Sequence, residues 1–380
     1  VEPIVAGKHV LKTLTNSGYE AYFVGGMVRD CLLGLPVNDI DVTTSAKPEE
    51  VAKVFDKTYN TGLHHGTVTV LIDDVSIEVT TFRIDSVYLD NRRPKMVTFT
   101  TSLEKDLVRR DFTMNAIAKG VDDQLYDPFN GQIDLEAKLI RAVGNPEERF
   151  AEDALRILRA IRFVSKLGFS IEEETTKGMM SCHRLMTSLS FERIHLELTS
   201  ILAGNYKKQA LDLVIKLKLF EYVPYLNALI SFHALDQIEC PLMLYTVVAL
   251  ELEDPEEFLE AYPLKKEDKR VIRNVLSIWD KEKDKRWIQY YFGLTTGRIY
   301  HDTKNLYQET GQIFEELALP LTKSSDLALK VSDLLAIFSR EPGPWLSEVI
   351  GTLEVAVLLD EVENDKEKLQ LYLENRGLDS

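Results

Sequence analysis

The chain has 380 residues, 45% hydrophobic and 28% charged, with a formal net charge of -16; this balance fits a folded protein with more than one hydrophobic core. No apolar run reaches the roughly 20 residues of a membrane helix, and so negative a chain cannot coat nucleic acid by bulk electrostatics, because phosphate contacts need Lys and Arg. Cys31, Cys182 and Cys240 stand too far apart for a CxxC zinc site or a disulfide framework and are expected as buried free thiols.

The opening segment VEPIVAGKHVLK lacks a basic stretch followed by an apolar core, so no signal peptide and a cytoplasmic location are expected. Up to about residue 140, β-branched runs alternate with helical patterns. Helices are predicted at Ile4 to Thr15, Met27 to Leu33, Pro48 to Phe55 and Ser102 to Ala118. Strands are predicted in AYFVGG, DIDVTT, GTVTVLID and SIEVTTFR, the last two joined by a hairpin at Asp73 and Asp74. From Glu147 onward the pattern becomes helical throughout, and Pro241 to Leu250 is expected as a buried core helix. The fold class is therefore α+β: a small mixed-sheet domain followed by an all-helical remainder, with candidate boundaries at the Gly144, Pro146 pair, at the Gly204, Asn205 turn, and at the charged, Pro-containing stretches near residues 254 and 263. Against the acidic whole, two local basic patches stand out. One contains Arg92, Arg93, Lys95, Lys105, Arg109 and Arg110; the other Arg156, Arg159, Arg162 and Lys166.

Three segments could carry chemistry. In FVGGMVRDCLLGLPVNDIDVTTSA a strand ends in Gly25 and Gly26, where backbone amides can approach an anion, and Arg29 lies one turn into the helix that follows. Asp39 and Asp41 are two apart on the next strand, so both carboxylates share a face; like charges that close call for a cation, and hard oxygen ligands suit Mg2+. In RRDFTMNAIA, Arg110 and Asp111 bring a guanidinium and a carboxylate together at a predicted helix, where by themselves they read as an ion-pair cluster, with Asn115 expected to be structural. In AEDALRILRAIRF, Asp153 and Arg156 are three apart and expected on one helical face, continued by Arg159 and Arg162, opposite Leu155, Leu158 and Ile161. Adjacent His64 and His65 are taken as structural, and the His301, Asp302 pair as accidental.

Together these segments, from about Gly18 to Gly168, resemble the nucleotidyltransferase superfamily of DNA polymerase beta and, within it, the class II tRNA CCA-adding enzymes and bacterial poly(A) polymerases. The resemblance implies that Gly25, Gly26 and Arg29 form the nucleotide-phosphate segment and that Asp39 and Asp41 hold the metal, with Glu78 of IEVTTFR as a third carboxylate. It implies that Arg110 contacts the triphosphate and Asp111 the ribose 2′ hydroxyl. Asp153 and Arg156 would read the incoming base, joined by Arg159 and Arg162. The stretch FRIDSVYLDNRRPKMVTF, with Asp85, Tyr88, Asp90, Arg92, Arg93 and Pro94, matches a family loop that separates full CCA addition from addition of the two cytidines alone. The expected layout is a head at 1–140, a helical neck at 141–200, a body at 201–270 and a tRNA-binding tail at 271–380. The expected reaction is template-independent addition of C, C and A to tRNA from CTP and ATP, by a monomer or homodimer that touches no membrane. A poly(A) polymerase is the nearest alternative, though a basic carboxyl-terminal extension is usual there and this sequence ends in the acidic DEVENDKEKLQLYLENRGLDS. A noncatalytic RNA-binding protein would be expected to lack the aspartate pair.

Overall fold

The computed structural model describes residues 2–37, 39–62, 66–85, 97–281, 283–308 and 314–376. His64, His65 and the 88–94 part of the matched loop lie outside the described residues. The chain divides into two compact units, Val1–Asp236 and Gln237–Ser380.

The first unit begins with α1 (Pro3–Asn16), β1 (Ala21–Val24), α2 (Gly26–Leu32), β2 (Asp41–Thr44), α3 (Pro48–Val54), β3 (Thr58–Gly62), β4 (Thr67–Ile72) and β5 (Val75–Thr81). A short ribbon, β6 (Arg83–Asp85) with β7 (Val97–Phe99), leads to α4 (Leu103–Val108), β8 (Ala118–Lys119), β9 (Leu125–Tyr126) and α5 (Gly131–Glu136). The main sheet has the order β3-β4-β5-β2-β1-β8-β9. It is mixed: β2 runs parallel to β5, and the other neighbours are antiparallel. Asp73 and Asp74 both have positive φ (44° and 66°), the backbone a two-residue hairpin between twisted strands requires, and the Ile72 to Val75 pairing closes it as expected. Helix α1 buries Val10, Leu11 and Leu14 on one stripe and lies so close to the sheet that a Cβ on Gly7 would come within 2.6 Å of the Phe23 ring.

The helical part of this unit follows β10 (Leu139–Ile140). It comprises α6 (Pro146–Glu152), α7 (Leu155–Leu167), α8 (Glu173–Cys182), α9 (Phe191–Leu202) and α10 (Lys207–Lys216), with a two-residue strand, β11 (Ser170–Ile171), pairing parallel to β10. Helix α7 sits at the centre, packed on α9 and α10.

Three expectations are corrected. The helix predicted over Ser102 to Ala118 stops at Val108, and Ala118 begins a strand. Two causes are visible: Asp111 Oδ1 accepts from the next residue's amide, Phe112 N (2.8 Å), and Asp111 and Thr113 form backbone hydrogen bonds with Val143 and Arg141. Local side-chain capture and a distant partner strand thus outcompete helical propensity. Second, Asp153 is not helical (φ -150°, ψ 101°); it stands in the break between α6 and α7, where its Oδ1 accepts from Leu155 N. Third, Cys31 is exposed, while Cys182 is buried and Cys240 half-buried; all three are free.

The second unit contains α11 (Pro241–Glu251), α12 (Pro255–Ala261), α13 (Lys266–Ile278), α14 (Lys285–Gln308), α15 (Val331–Phe338), α16 (Pro344–Leu358) and α17 (Lys366–Asn375). Helix α11 is buried from Met243 to Ala249, as its apolar run implies. Gly293 breaks α14 with φ 84° and ψ 167°. The carboxylate of Glu354, 4% exposed, accepts from the hydroxyls of Tyr290 (2.8 Å) and Tyr291 (2.7 Å). Among the described residues no helix is long and apolar enough to cross a membrane.

Candidate active site

Strand β1 delivers the chain into Gly25, whose φ of 68° and ψ of -136° suit glycine alone. A Cβ there would stand 3.4 Å from Arg110 Nη1 and 3.6 Å from Asp41 Oδ2, so the bare backbone lies between a cation and a carboxylate. The parallel register of β2 on β5 makes Asp41 and Glu78 direct partners, which turns both to the same side of the sheet. The expectation that Asp39 and Asp41 share a strand face is corrected: β2 begins at Asp41, and Asp39 precedes it and is exposed, so the strand period of two does not apply to the pair. Burial pushes the Asp41 carboxyl above its usual range, and the neighbouring Glu78 and Asp39 charges push the same way while Arg110 opposes them. A divalent cation would relieve that crowding. Among the described residues no three His, Cys, Asp or Glu side chains form a closed cage.

Arg29, 3% exposed, bonds Asp30 Oδ1 through Nε (2.8 Å) and Asn115 Oδ1 through Nη1 (2.7 Å). Lys166 of α7 reaches the other Asp30 oxygen at 2.8 Å. The Asn115 amide donates to Asp111 Oδ1 (3.0 Å), and Arg159 holds Asp111 Oδ2 through Nε (2.8 Å) and Nη2 (2.5 Å). Burial would raise the Asp111 carboxyl, but Arg159 and Asn115 outweigh it and hold it well below the ordinary carboxylate range.

The predicted base-reading residues do not pair with one another. Asp153 Oδ2 takes Arg193 of α9 at 2.6 Å. Arg156 is committed to Glu152 Oε2 (2.8 Å) and to the carbonyls of Arg149 (2.9 Å) and Arg109 (3.0 Å). Arg162 Nε lies 3.0 Å from Glu197 Oε2 as a charge contact without hydrogen-bond alignment. The guanidinium carbons of Arg29, Arg159 and Arg162 gather over the Phe163 ring at 5.0, 5.8 and 4.9 Å.

These groups face one cavity of about 910 Å³. Gly25, Gly26, Arg29, Asp41, Arg110, Asp111, Asp153, Arg156, Arg159 and Arg162 all line it; Asp39 and Glu78 do not. Arg83, Arg109, Phe163, Lys166 and Arg193 also line it, as do Ser200, Ala203 and Gly204 at the end of α9, and none of these is a predicted site residue. Arg109 and Lys166 had at least a signal, as members of the two basic patches. Arg83 and Arg193 had none, because only the fold brings their elements here. The wall carries nine Lys or Arg side chains against three Asp, a cationic pocket in an acidic chain.

Comparison with known proteins gives three family matches in succession. Residues 21–141 match the "Poly A polymerase head domain", 168–230 the "Probable RNA and SrmB- binding site of polymerase A", and 232–373 tRNA nucleotidyltransferase domain 2. Among curated relatives, the CCA-adding enzyme of Listeria monocytogenes serotype 4b (strain F2365) is 40% identical over 381 residues, covering 96% of each chain. That of Geobacillus sp. (strain WCH70) is 38% identical over 397 residues, covering 99% of this chain and 98% of the relative. Among solved structures, the Bacillus stearothermophilus CCA-adding enzyme in complex with CTP superposes with a TM-score of 0.80 at 31% identity, covering 99% of this chain and 98% of that one.

Proposed function

Because the chain belongs to the CCA-adding enzyme family, we propose that it adds C, C and A to the 3′ end of tRNA from CTP and ATP, releasing pyrophosphate, in the cytoplasm. The observation that carries this reading is the single cavity that joins Asp41, the Gly25 backbone and an excess of guanidinium groups. A nucleoside triphosphate is the small molecule whose charge such a wall fits. Asp39 and Asp41 would hold Mg2+, with Glu78 beside them as the register of β2 on β5 supports. Bound there, the metal supplies activation of the terminal 3′ hydroxyl and neutralisation of the departing pyrophosphate.

The protein's own groups do the rest. Arg110 and Arg29 meet the triphosphate, Gly25 and Gly26 keep side chains out of its path, and Asp111 accepts from the ribose 2′ hydroxyl. Asp153, Arg156, Arg159 and Arg162 form the wall that the base meets, and their fixed donors and acceptors discriminate among bases, since a wrong base leaves buried groups unpaired. The layout proposed is the head at 1–140, neck at 141–200, body at 201–270 and tail at 271–380, the tail serving the tRNA.

The test is incubation with tRNA lacking CCA and each labelled nucleotide in turn. Incorporation of two C and one A, and no more, is expected. Repeated A addition would instead favour a poly(A) polymerase, the reading suggested by the description of the matched head domain. No incorporation of any nucleotide would refute both.

A further inference from the structure

The reading of Arg110 as the triphosphate contact leaves open what aims it. An arginine has a long, flexible stem, and a cation lining a cavity full of other cations is repelled on several sides. Something must hold it in place. The carboxylate of Asp106, on α4, has 0% exposure and does not line the cavity, so it cannot touch a ligand there. Its Oδ1 accepts from Arg109 Nε (2.9 Å) and Nη2 (2.8 Å) and from Arg83 N (3.2 Å). Its Oδ2 accepts from Arg110 Nη2 (3.1 Å) and, more loosely, from the Thr43 hydroxyl (3.4 Å). One buried carboxylate thus ties together three elements that border the cavity: β2 through Thr43, β6 through Arg83, and the end of α4 through Arg109 and Arg110.

The rest of Arg110 shows which way this tether points it. Among the described residues, its buried Nε has no hydrogen-bond partner. Its Nη1 lies next to Gly25, beside Asp41 Oδ2. A buried guanidinium N–H without an acceptor is costly, and Arg110, which lines the cavity, has its Nη1 side next to Gly25 left for a ligand. We propose that Asp106 is a positioning residue for nucleotide binding: it fixes Arg110 by one Nη2 hydrogen bond so that the remaining edge of the guanidinium faces the triphosphate beside Gly25 and Asp41. The inference rests on the function proposed above, in which Arg110 meets the triphosphate.

A purely structural role for so buried an aspartate would lower stability without singling out the nucleotide. The discriminating experiment is a double-mutant cycle between Asp106→Asn and Arg110→Ala, with KM and kcat for CTP and ATP, KM for tRNA and thermal stability measured on each variant. Arg110→Ala is expected to raise nucleotide KM about tenfold or more, the worth of one charge-assisted hydrogen bond. Asp106→Asn should raise nucleotide KM by a similar factor while KM for tRNA stays within about twofold. The double variant should lose little beyond Arg110→Ala alone, because the aspartate acts through the arginine. Binding of inorganic tripolyphosphate, read by calorimetry without tRNA or turnover, should weaken in the same pattern. If Arg110→Ala leaves nucleotide KM and tripolyphosphate binding unchanged, the reading of Arg110 fails. If Arg110→Ala weakens both but Asp106→Asn does not, or the two losses multiply, the proposal for Asp106 is overturned and that of Arg110 stands. Should Asp106→Asn not fold, Asp106→Glu keeps the charge but displaces the oxygens by one methylene; it should still raise nucleotide KM, and parental values there would overturn the proposal.

Discussion

Asp41 carries opposing demands in a single carboxyl group. Burial and the Glu78 and Asp39 charges raise its folded pKa above the unfolded value, so its contribution to stability is present below the unfolded pKa and lost as pH rises through the folded one. At neutral pH the ionised group is therefore a cost that function imposes. Asp41→Asn should reduce nucleotide addition about 10²–10³-fold by removing a metal ligand, yet raise the melting temperature in metal-free buffer at pH 7. Thermal melts with and without Mg2+ check this: the ion should stabilise the parent and leave Asp41→Asn unmoved. Asp111 has the opposite sign. Its folded pKa is depressed by Arg159, so its contribution is present above the unfolded pKa and lost as pH falls toward the folded one. Arg159 is 32% exposed, which discounts the pair, and Arg159→Ala should cost about 2–4 kcal/mol at pH 7. Urea unfolding from pH 7 down to pH 3 should show that deficit shrinking as the acid limb is reached.

At the scale of elements, the spacing of Asp153 and Arg156 suggested one helical row, but the break between α6 and α7 separates them. Helical periodicity could not foresee the break, because the interaction that makes it is a carboxylate turning back to cap Leu155 and meeting Arg193 forty positions away. The two residues should consequently behave differently when mutated. Asp153→Ala should relax selection among the four nucleotides, and Arg193→Ala should do the same, since each leaves its partner unaimed. Arg156→Ala should also relax selection but, unlike Asp153→Ala, it removes three hydrogen bonds from a guanidinium that ties α6, α7 and the end of α4 together; an added loss of stability of at least about 2 kcal/mol is expected. Incorporation assays with each nucleotide on tRNA ending before and after the two cytidines, alongside urea melts, separate these outcomes. Parental selectivity in both Asp153→Ala and Arg193→Ala would remove this pair from base recognition.

Over the whole molecule, a net charge of -16 coexists with a cavity whose wall has six more cations than anions. Field at a site depends on nearby charges, and salt screens those beyond about 10 Å. Ligand binding should accordingly stabilise the unit that carries the cavity. Saturating CTP with Mg2+, at about 100 times its Kd, should add about 2.7 kcal/mol to the unit formed by residues 1–236. Where calorimetry resolves two transitions, the one assigned by limited proteolysis to residues 237–380 should not move. Equal shifts of both would show that the nucleotide is held by more than the first unit.

Sequence alone determined the parts of this protein that depend on short-range chemistry. The mixed α/β first segment, the Asp73–Asp74 hairpin, the glycine turn after β1 and the apolar α11 all follow from local propensity, turn chemistry or a period of two or 3.6. Only the tertiary structure decided which charges meet. Arg159 on Asp111, Lys166 on Asp30, Arg193 on Asp153 and the Asp106 tether each join residues on different elements or across a helix end. The sheet order likewise sets Glu78 beside Asp41, and the separate β6–β7 ribbon carries Arg83 to the cavity. The reason is physical: the strength of an ion pair or hydrogen bond is set by distance and burial, and neither is a property of position along the chain.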